Sequence, residues 1–111
     1  MQARIKAICE LLDSKKAENI ECFDMRGREY FVDFVILATI LGEKHALSLI
    51  DELKTTLKPL GEEFLNLQSS QEWSVIDLGD LIIHLLSEEY RAKYNIEELL
   101  SELKKKDFEI F

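Results

Sequence analysis

The sequence predicts a single α/β (α+β) domain, a mixed β-sheet of about five strands covered by helices in the order α-β-β-α-β-β-β-α. Three observations carry this. Stretches with apolar residues at helical spacing alternate with stretches rich in β-formers, so both kinds of layer are present. The run from Tyr30 to Ile40 is apolar for so long that it indicates a strand buried on both faces. The stretch from Trp73 to His84, W-S-V-I-D-L-G-D-L-I-I-H, sets a Gly79-Asp80 turn signal between two runs of Ile, Leu and Val, the pattern of a tight β-hairpin.

Each element has its own local reason. Residues Ala3 to Ala17 place Ile5, Ile8, Cys9 and Leu12 on one helical stripe, with Lys15 and Lys16 in the last turn, where cations suit the helix dipole. Ile20 to Met25 reads as a short strand and Arg26-Gly27 as a turn. In the Tyr30 to Ile40 strand, one face (Tyr30, Val32, Phe34, Ile36, Ala38, Ile40) is uniformly apolar, whereas the other (Phe31, Asp33, Val35, Leu37, Thr39) admits an acid and a hydroxyl. Glu43 to Lys58 is a helix whose stripe is Ala46, Leu49, Ile50, Leu53 and Leu57, ended by Pro59 and Gly61. Phe64 to Leu67 is a strand, and with the Tyr30 strand and the Glu43 helix it forms a candidate right-handed crossover. After the hairpin, a helical region begins near Ser87, and Asn95 with Glu98 approximates a capping box for a final helix carrying Ile96, Leu99, Leu100 and Leu103.

Counting outward from the hairpin turn assigns its register. Leu78 faces Leu81, Asp77 faces Ile82, Ile76 faces Ile83, Val75 faces His84 and Trp73 faces Leu86. One side then carries Ile76, Leu78, Leu81, Ile83 and Leu85, broken by Ser74 alone, and is core. The other carries Trp73, Val75, Asp77, Ile82, His84 and Leu86, a mixture suited to recognition.

Composition narrows the function. A chain of 111 residues with 47% hydrophobic and 32% charged residues is one globular domain, able to bury about 65% of its unfolded surface. No repeat, linker or low-complexity segment divides residues 1–111. The longest uncharged apolar stretch, Phe34 to Gly42, is too short to cross a bilayer, so a cytoplasmic, membrane-free protein is expected. Net charge is −8, and the basic residues are scattered or gathered at Lys104 to Lys106, so direct nucleic-acid binding is not expected. A basic protein partner is favoured instead, with association steered by charge. Cys9 and Cys22 lack metal-ligand spacing and read as buried, reduced thiols, with a disulfide the weaker alternative.

Chemistry is hard to assemble from these residues. Asp33, Asp77, Asp80 and His84 are the acid/base or metal candidates, but no D-x-D pair and no phosphate loop accompany them. Ser48, Ser69, Ser70, Ser74 and Ser87 lack a nucleophile elbow, and Thr39-Ile40-Leu41-Gly42 before a helix is better read as a plain strand-to-helix turn than as an anion site. His84 reads as a part-buried histidine bonded to an acid or a backbone group, and Asp80 as a residue bonding its own turn. Trp73, at a strand start beside a polar loop, is as well suited to anchoring an interface as to filling a core.

These residues bear a family resemblance. W-x-x-x-D-x-G-D-x-x-x-H, matched by Trp73, Asp77, Gly79, Asp80 and His84, is similar to the hairpin of the ribosomal silencing factor, or Iojap-like, family. Lys15 to Ile20, Asp24-Met25-Arg26-Gly27, Asp33 to Thr39, His45 to Leu53 and Tyr94 to Leu99 extend the resemblance over nearly the whole chain. Residues 104–111, ending Phe108-Glu109-Ile110-Phe111, run past it as an extension. The resemblance implies a nucleotidyltransferase-like fold without the active-site acids, no enzymatic activity and no cofactor. It also implies binding to large-subunit ribosomal protein number fourteen where the small subunit docks, so that subunit joining is blocked and translation repressed, with a homodimer as a further implication. Many members have Gly and Ser after the threonine, where this chain has Ile40-Leu41. The expected partner-binding residues are Trp73 as anchor, Asp77, Leu78 and Asp80 near the contact, and Asp33 and His84 supporting the sheet face. A nucleotide-binding, nucleotidyltransferase-like enzyme and a dimeric scaffold using the C-terminal tail are the alternatives.

Overall fold

The computed structural model describes residues 2–27, 32–96 and 98. Its elements follow the expected order: α1 (Gln2–Ser14), β1 (Glu18–Asp24), β2 (Phe34–Ile40), α2 (Glu43–Leu57) with one 3₁₀ turn (Lys58–Leu60), β3 (Asn66–Ser69), β4 (Trp73–Asp77), β5 (Leu81–Ser87) and α3 (Glu88–Tyr94). Five strands form one sheet in the order β1-β2-β5-β4-β3, in which only β2 and β5 are parallel. The two most apolar strands thus lie side by side near the middle, where both faces are covered.

The hairpin register is the one counted from the turn: Trp73 opposite Leu86, Val75 opposite His84, Ile76 opposite Ile83 and Asp77 opposite Ile82. Gly79 takes φ +100, a backbone that a side chain resists, and this closes the turn. An alanine there would also set its Cβ 3.3 Å from a Leu65 methyl.

The strict alternation of side chains makes two cores. The larger joins Phe34, Ile36, Ala38 and Ile40 of β2 and Ile76, Leu78, Leu81, Ile83 and Leu85 of the hairpin to Ile8 and Leu12 of α1 and the whole α2 stripe. The smaller, on the other face, gathers Met25, Val32, Val35, Leu37, Ile82 and Leu86, with Phe23, Trp73, Val75, Tyr90 and Ile96 around it. Two helices therefore cover one face, and α3 covers part of the other.

Tertiary pairing overrides the local expectations in several places. The parallel partner of β2 is β5, reached only after α2, β3 and β4, and β3 is instead the outer strand of the β3-β4-β5 meander. The strand expected at Phe64 to Leu67 begins at Asn66, because its pairing with Asp77 of β4 sets the ladder, while Phe64 packs on the larger core. α1 stops at Ser14, Lys16 turning to φ 69, so Lys15 and Lys16 lie beyond the helix. Val32 joins the smaller core with Val35 rather than sharing a face with Phe34, because a bend at Val32 and Asp33 breaks the alternation. Asn95 ends α3 in a left-handed cap, φ 46, and its side-chain amide donates to the Glu98 carboxylate. Cys9 is half-buried and Cys22 exposed, where both were expected to be buried, and burial pushes the Cys9 thiol up. Leu99, Leu100, Leu103 and the 104–111 extension lie outside the described residues.

Candidate functional site

Among the described residues, helix covers only half of the second sheet face. Where α3 lies on it, the faces of Trp73, Tyr94 and Tyr90 meet: Trp73 and Tyr94 ring centres are 5.2 Å apart, Tyr90 and Tyr94 5.5 Å, both tilted. Tyr90 and Tyr94 are one helical turn apart, so they present a single ridge. The Lys93 ammonium stands 5.6 and 5.5 Å from their ring centres, and Tyr94 is 48% exposed.

Beside this ridge, the uncovered half of the face forms a cavity of about 200 Å³ lined by Asn66, Gln68, Val75, Asp77, Ile82 and His84. The Trp73 indole N–H donates to His84 Nδ1 at 3.1 Å, so that nitrogen is bare and the ring proton sits on Nε2. Burial pushes the His84 pKa down from 6.5 to about 4, which keeps the ring neutral at ordinary pH. The partner is an indole, where an acid or a backbone group was expected. Asp77 accepts the Gly79 N–H at 2.8 Å, so Asp77, not Asp80, holds the turn through its side chain.

The remaining candidates stand elsewhere. Asp80 accepts from Arg4 at 2.8 Å, and Arg4 also grips Glu62 through two donors, at 2.5 and 2.8 Å. This ties the hairpin to α1 and to the segment after α2, and the Arg4 guanidinium holds the Asp80 carboxyl below the usual carboxylate range. Asp33 is exposed at the same end of the sheet, and its N–H and that of Phe34 donate to the Asp80 carbonyl at 2.9 and 3.1 Å. Leu78 is 6% exposed and belongs to the larger core, on the opposite side of the sheet from Trp73. Its place near the contact is therefore corrected: the alternation that brings Trp73 and Asp77 to one face sends Leu78 to the other. Trp73, Asp77 and His84 are thus brought together, and Asp33 and Asp80 form a separate tie.

Sequence reasoning missed Arg91, which is 7% exposed. It donates to the Asn19 carbonyl at 2.5 Å and the Thr39 hydroxyl at 3.0 Å and pairs with Glu21 at 3.5 Å, clamping α3 to β1 and β2. The hydroxyl in an otherwise apolar strand was the available signal. At the start of α3, Ser87 accepts the Tyr90 N–H and donates to Glu72 at 2.6 Å. Among the described residues, no group of three or more His, Cys, Asp and Glu is placed to hold a metal, and no helix is long and apolar enough to cross a membrane.

The profile of the family described as ribosomal silencing factor during starvation matches residues 1–110. The chain belongs to the ribosomal silencing factor family. It is 31% identical over 100 residues to a ribosomal silencing factor of Halalkalibacterium halodurans, covering 88% of this chain and 86% of that one. It is 30% identical over 99 residues to that of Haemophilus influenzae, covering 87% and 97%. A crystal structure of a protein from Chromobacterium violaceum superposes with a TM-score of 0.83 at 25% identity, over 91% of this chain and 86% of that one. The hairpin residues therefore divide by role here: Trp73, Asp77 and His84 shape the open face, Asp77 and Gly79 hold the turn, and Asp80 anchors it to Arg4.

Proposed function

We propose that this chain represses translation by binding the large ribosomal subunit, through its protein number fourteen, and sterically blocking association with the small subunit. Family membership supports a ribosome-associated silencing role and a regulator rather than an enzyme. The observation that carries the finer reading is the half-open face: a half-buried tryptophan, aromatic neighbours and Asp77 on a rigid sheet, in a chain of net charge −8. A part-exposed aromatic anchor ringed by polar groups is how interface energy concentrates, and a negative chain is drawn to a basic ribosomal protein. The acids weighed for catalysis are engaged structurally, Asp77 with the turn and Asp80 with Arg4.

In this reading Trp73 is the anchor, Asp77 a charged contact, His84 the support that orients the indole, and Asp33 and Asp80 set the hairpin tip. The molecule acts in the cytoplasm, without a cofactor. Purified protein added to separated subunits under joining conditions should leave free large subunits on a gradient. Unchanged joining at saturating protein rejects the mechanism.

A further inference from the structure

The sheet has two edges, and they are built differently. Along β1, Asn19 takes φ 47 and the register shifts between Glu18 and Glu21, with Glu18, Glu21 and Asp24 adding charge. A bulge and charges are what keep an edge strand from pairing with a stranger. β3, Asn66-Leu67-Gln68-Ser69, carries no charge and no proline, and its four residues pair in unbroken register with β4.

The ladder also fixes which peptide groups of β3 face outward. Leu78 N–H donates to the Leu81 carbonyl at 2.9 Å, and Ser70 N–H to the Trp73 carbonyl at 3.0 Å. Bonded and non-bonded pairs alternate in an antiparallel ladder, so β4 turns the peptides of Ser74 and Ile76 toward β5 and those of Val75 and Asp77 toward β3. The bonded β3 partners are then Asn66 and Gln68, and the N–H and C=O groups of Leu67 and Ser69 point away from the sheet, of which β3 is the last strand among the described residues. That spacing is what an added strand engages.

The groups beside this edge specify the newcomer. Asn66 and Gln68 share the face of Asp77 and line the same cavity with it. A strand added about 4.8 Å beyond β3 would need a long side chain to cross Asn66 and Gln68 and reach Asp77. Lysine and arginine have that length, and their charge matches the carboxylate, while neutral His84 sets no opposing charge there. A second copy matches less well, because it brings another net charge of −8 to the same edge.

We propose that β3 is a docking edge that takes an extended, positively charged segment of a protein partner as a sixth strand, with an arginine or lysine reaching over Asn66 and Gln68 to Asp77. The ribosomal reading supplies only the partner's identity, so two probes separate the two ideas. In the first, a short synthetic peptide of alternating arginine and valine is titrated into the full-length, isotope-labelled protein. The Leu67 and Ser69 amides should shift and gain hydrogen-exchange protection, and a glutamate-valine peptide should leave them unchanged. Failure of the basic peptide to move these amides overturns the docking edge, whether or not ribosomes bind.

In the second, large ribosomal subunits are the probe. Ser69→Pro deletes an outward N–H while sparing the β3 to β4 bonds, and Ser69→Ala keeps that N–H and loses only the hydroxyl bond to Ser74, 2.8 Å long. Ser69→Pro should weaken co-sedimentation about ten-fold or more, and Ser69→Ala should not. Equal binding by the two variants, alongside wild-type binding, overturns the docking edge and leaves the ribosomal reading standing; loss of wild-type binding rejects the ribosomal reading alone. Should Ser69→Pro fail to fold, protection of the Leu67 and Ser69 amides in the wild-type complex decides. A concentration-dependent dimer that Ser69→Pro abolishes would assign the edge to a second copy and overturn the basic segment.

Discussion

Acid should loosen this protein through one imidazole. His84 Nδ1 accepts the Trp73 indole N–H at 3.1 Å, so protonating that nitrogen sets two donors against each other in a half-closed site. The folded chain holds His84 near a pKa of about 4, against 6.5 when unfolded. Between those values the unfolded chain binds a proton that the folded chain refuses, so stability is whole above about pH 6.5, falls as pH drops, and levels off below about 4. The gap corresponds to about 3 kcal/mol, a large share of a small domain's stability. His84→Asn removes the titration and places an amide oxygen close to where Nδ1 accepts. Urea unfolding, followed by fluorescence of the sole tryptophan between about pH 7 and 4.5, should show wild type losing about 2 kcal/mol more than His84→Asn. Asp80 does not blur this window, because Arg4 holds its pKa below 3.8 and its contribution is lost only at lower pH. Parallel pH slopes for the two proteins would refute the reasoning.

Trp73→Ala should weaken large-subunit co-sedimentation by about 2 kcal/mol or more, roughly thirty-fold, while circular dichroism keeps the sheet; full retention of binding removes Trp73 as the anchor. Arg91→Ala should cost about 2–3 kcal/mol in chemical unfolding through its lost bonds to Asn19 and Thr39, with Arg91→Lys recovering part of it. Gly79→Ala should cost about 1–2 kcal/mol, since φ +100 resists a side chain and the new Cβ crowds Leu65, and a neutral result would mean that the turn has another accessible form. Raising salt should slow association with large subunits more than it speeds dissociation, which stopped-flow mixing would show directly.

Much of the site was legible because side-chain alternation is strict. A glycine-centred turn and period-two counting were enough to give the hairpin register and to put Trp73, Asp77 and His84 on one face. The same arithmetic placed Leu78 on the core side, and its burial is the outcome. Counting set His84 diagonally across from Trp73 but not which ring atoms bond, a matter of rotamer and tautomer, while Arg4 holding Asp80 and Tyr94 lying against Trp73 depend on where a distant segment arrives.

The residues by themselves determined the element order, the two-sided strand pattern, the acidic balance and the family, all consequences of periodicity, composition and motif spacing along one dimension. Tertiary structure decided that β5 lies beside β2 and, among the described residues, that α3 covers only half of the second face and that β3 ends the sheet. Strand partners are chosen by which apolar surfaces close together in space, and no local pattern encodes that choice.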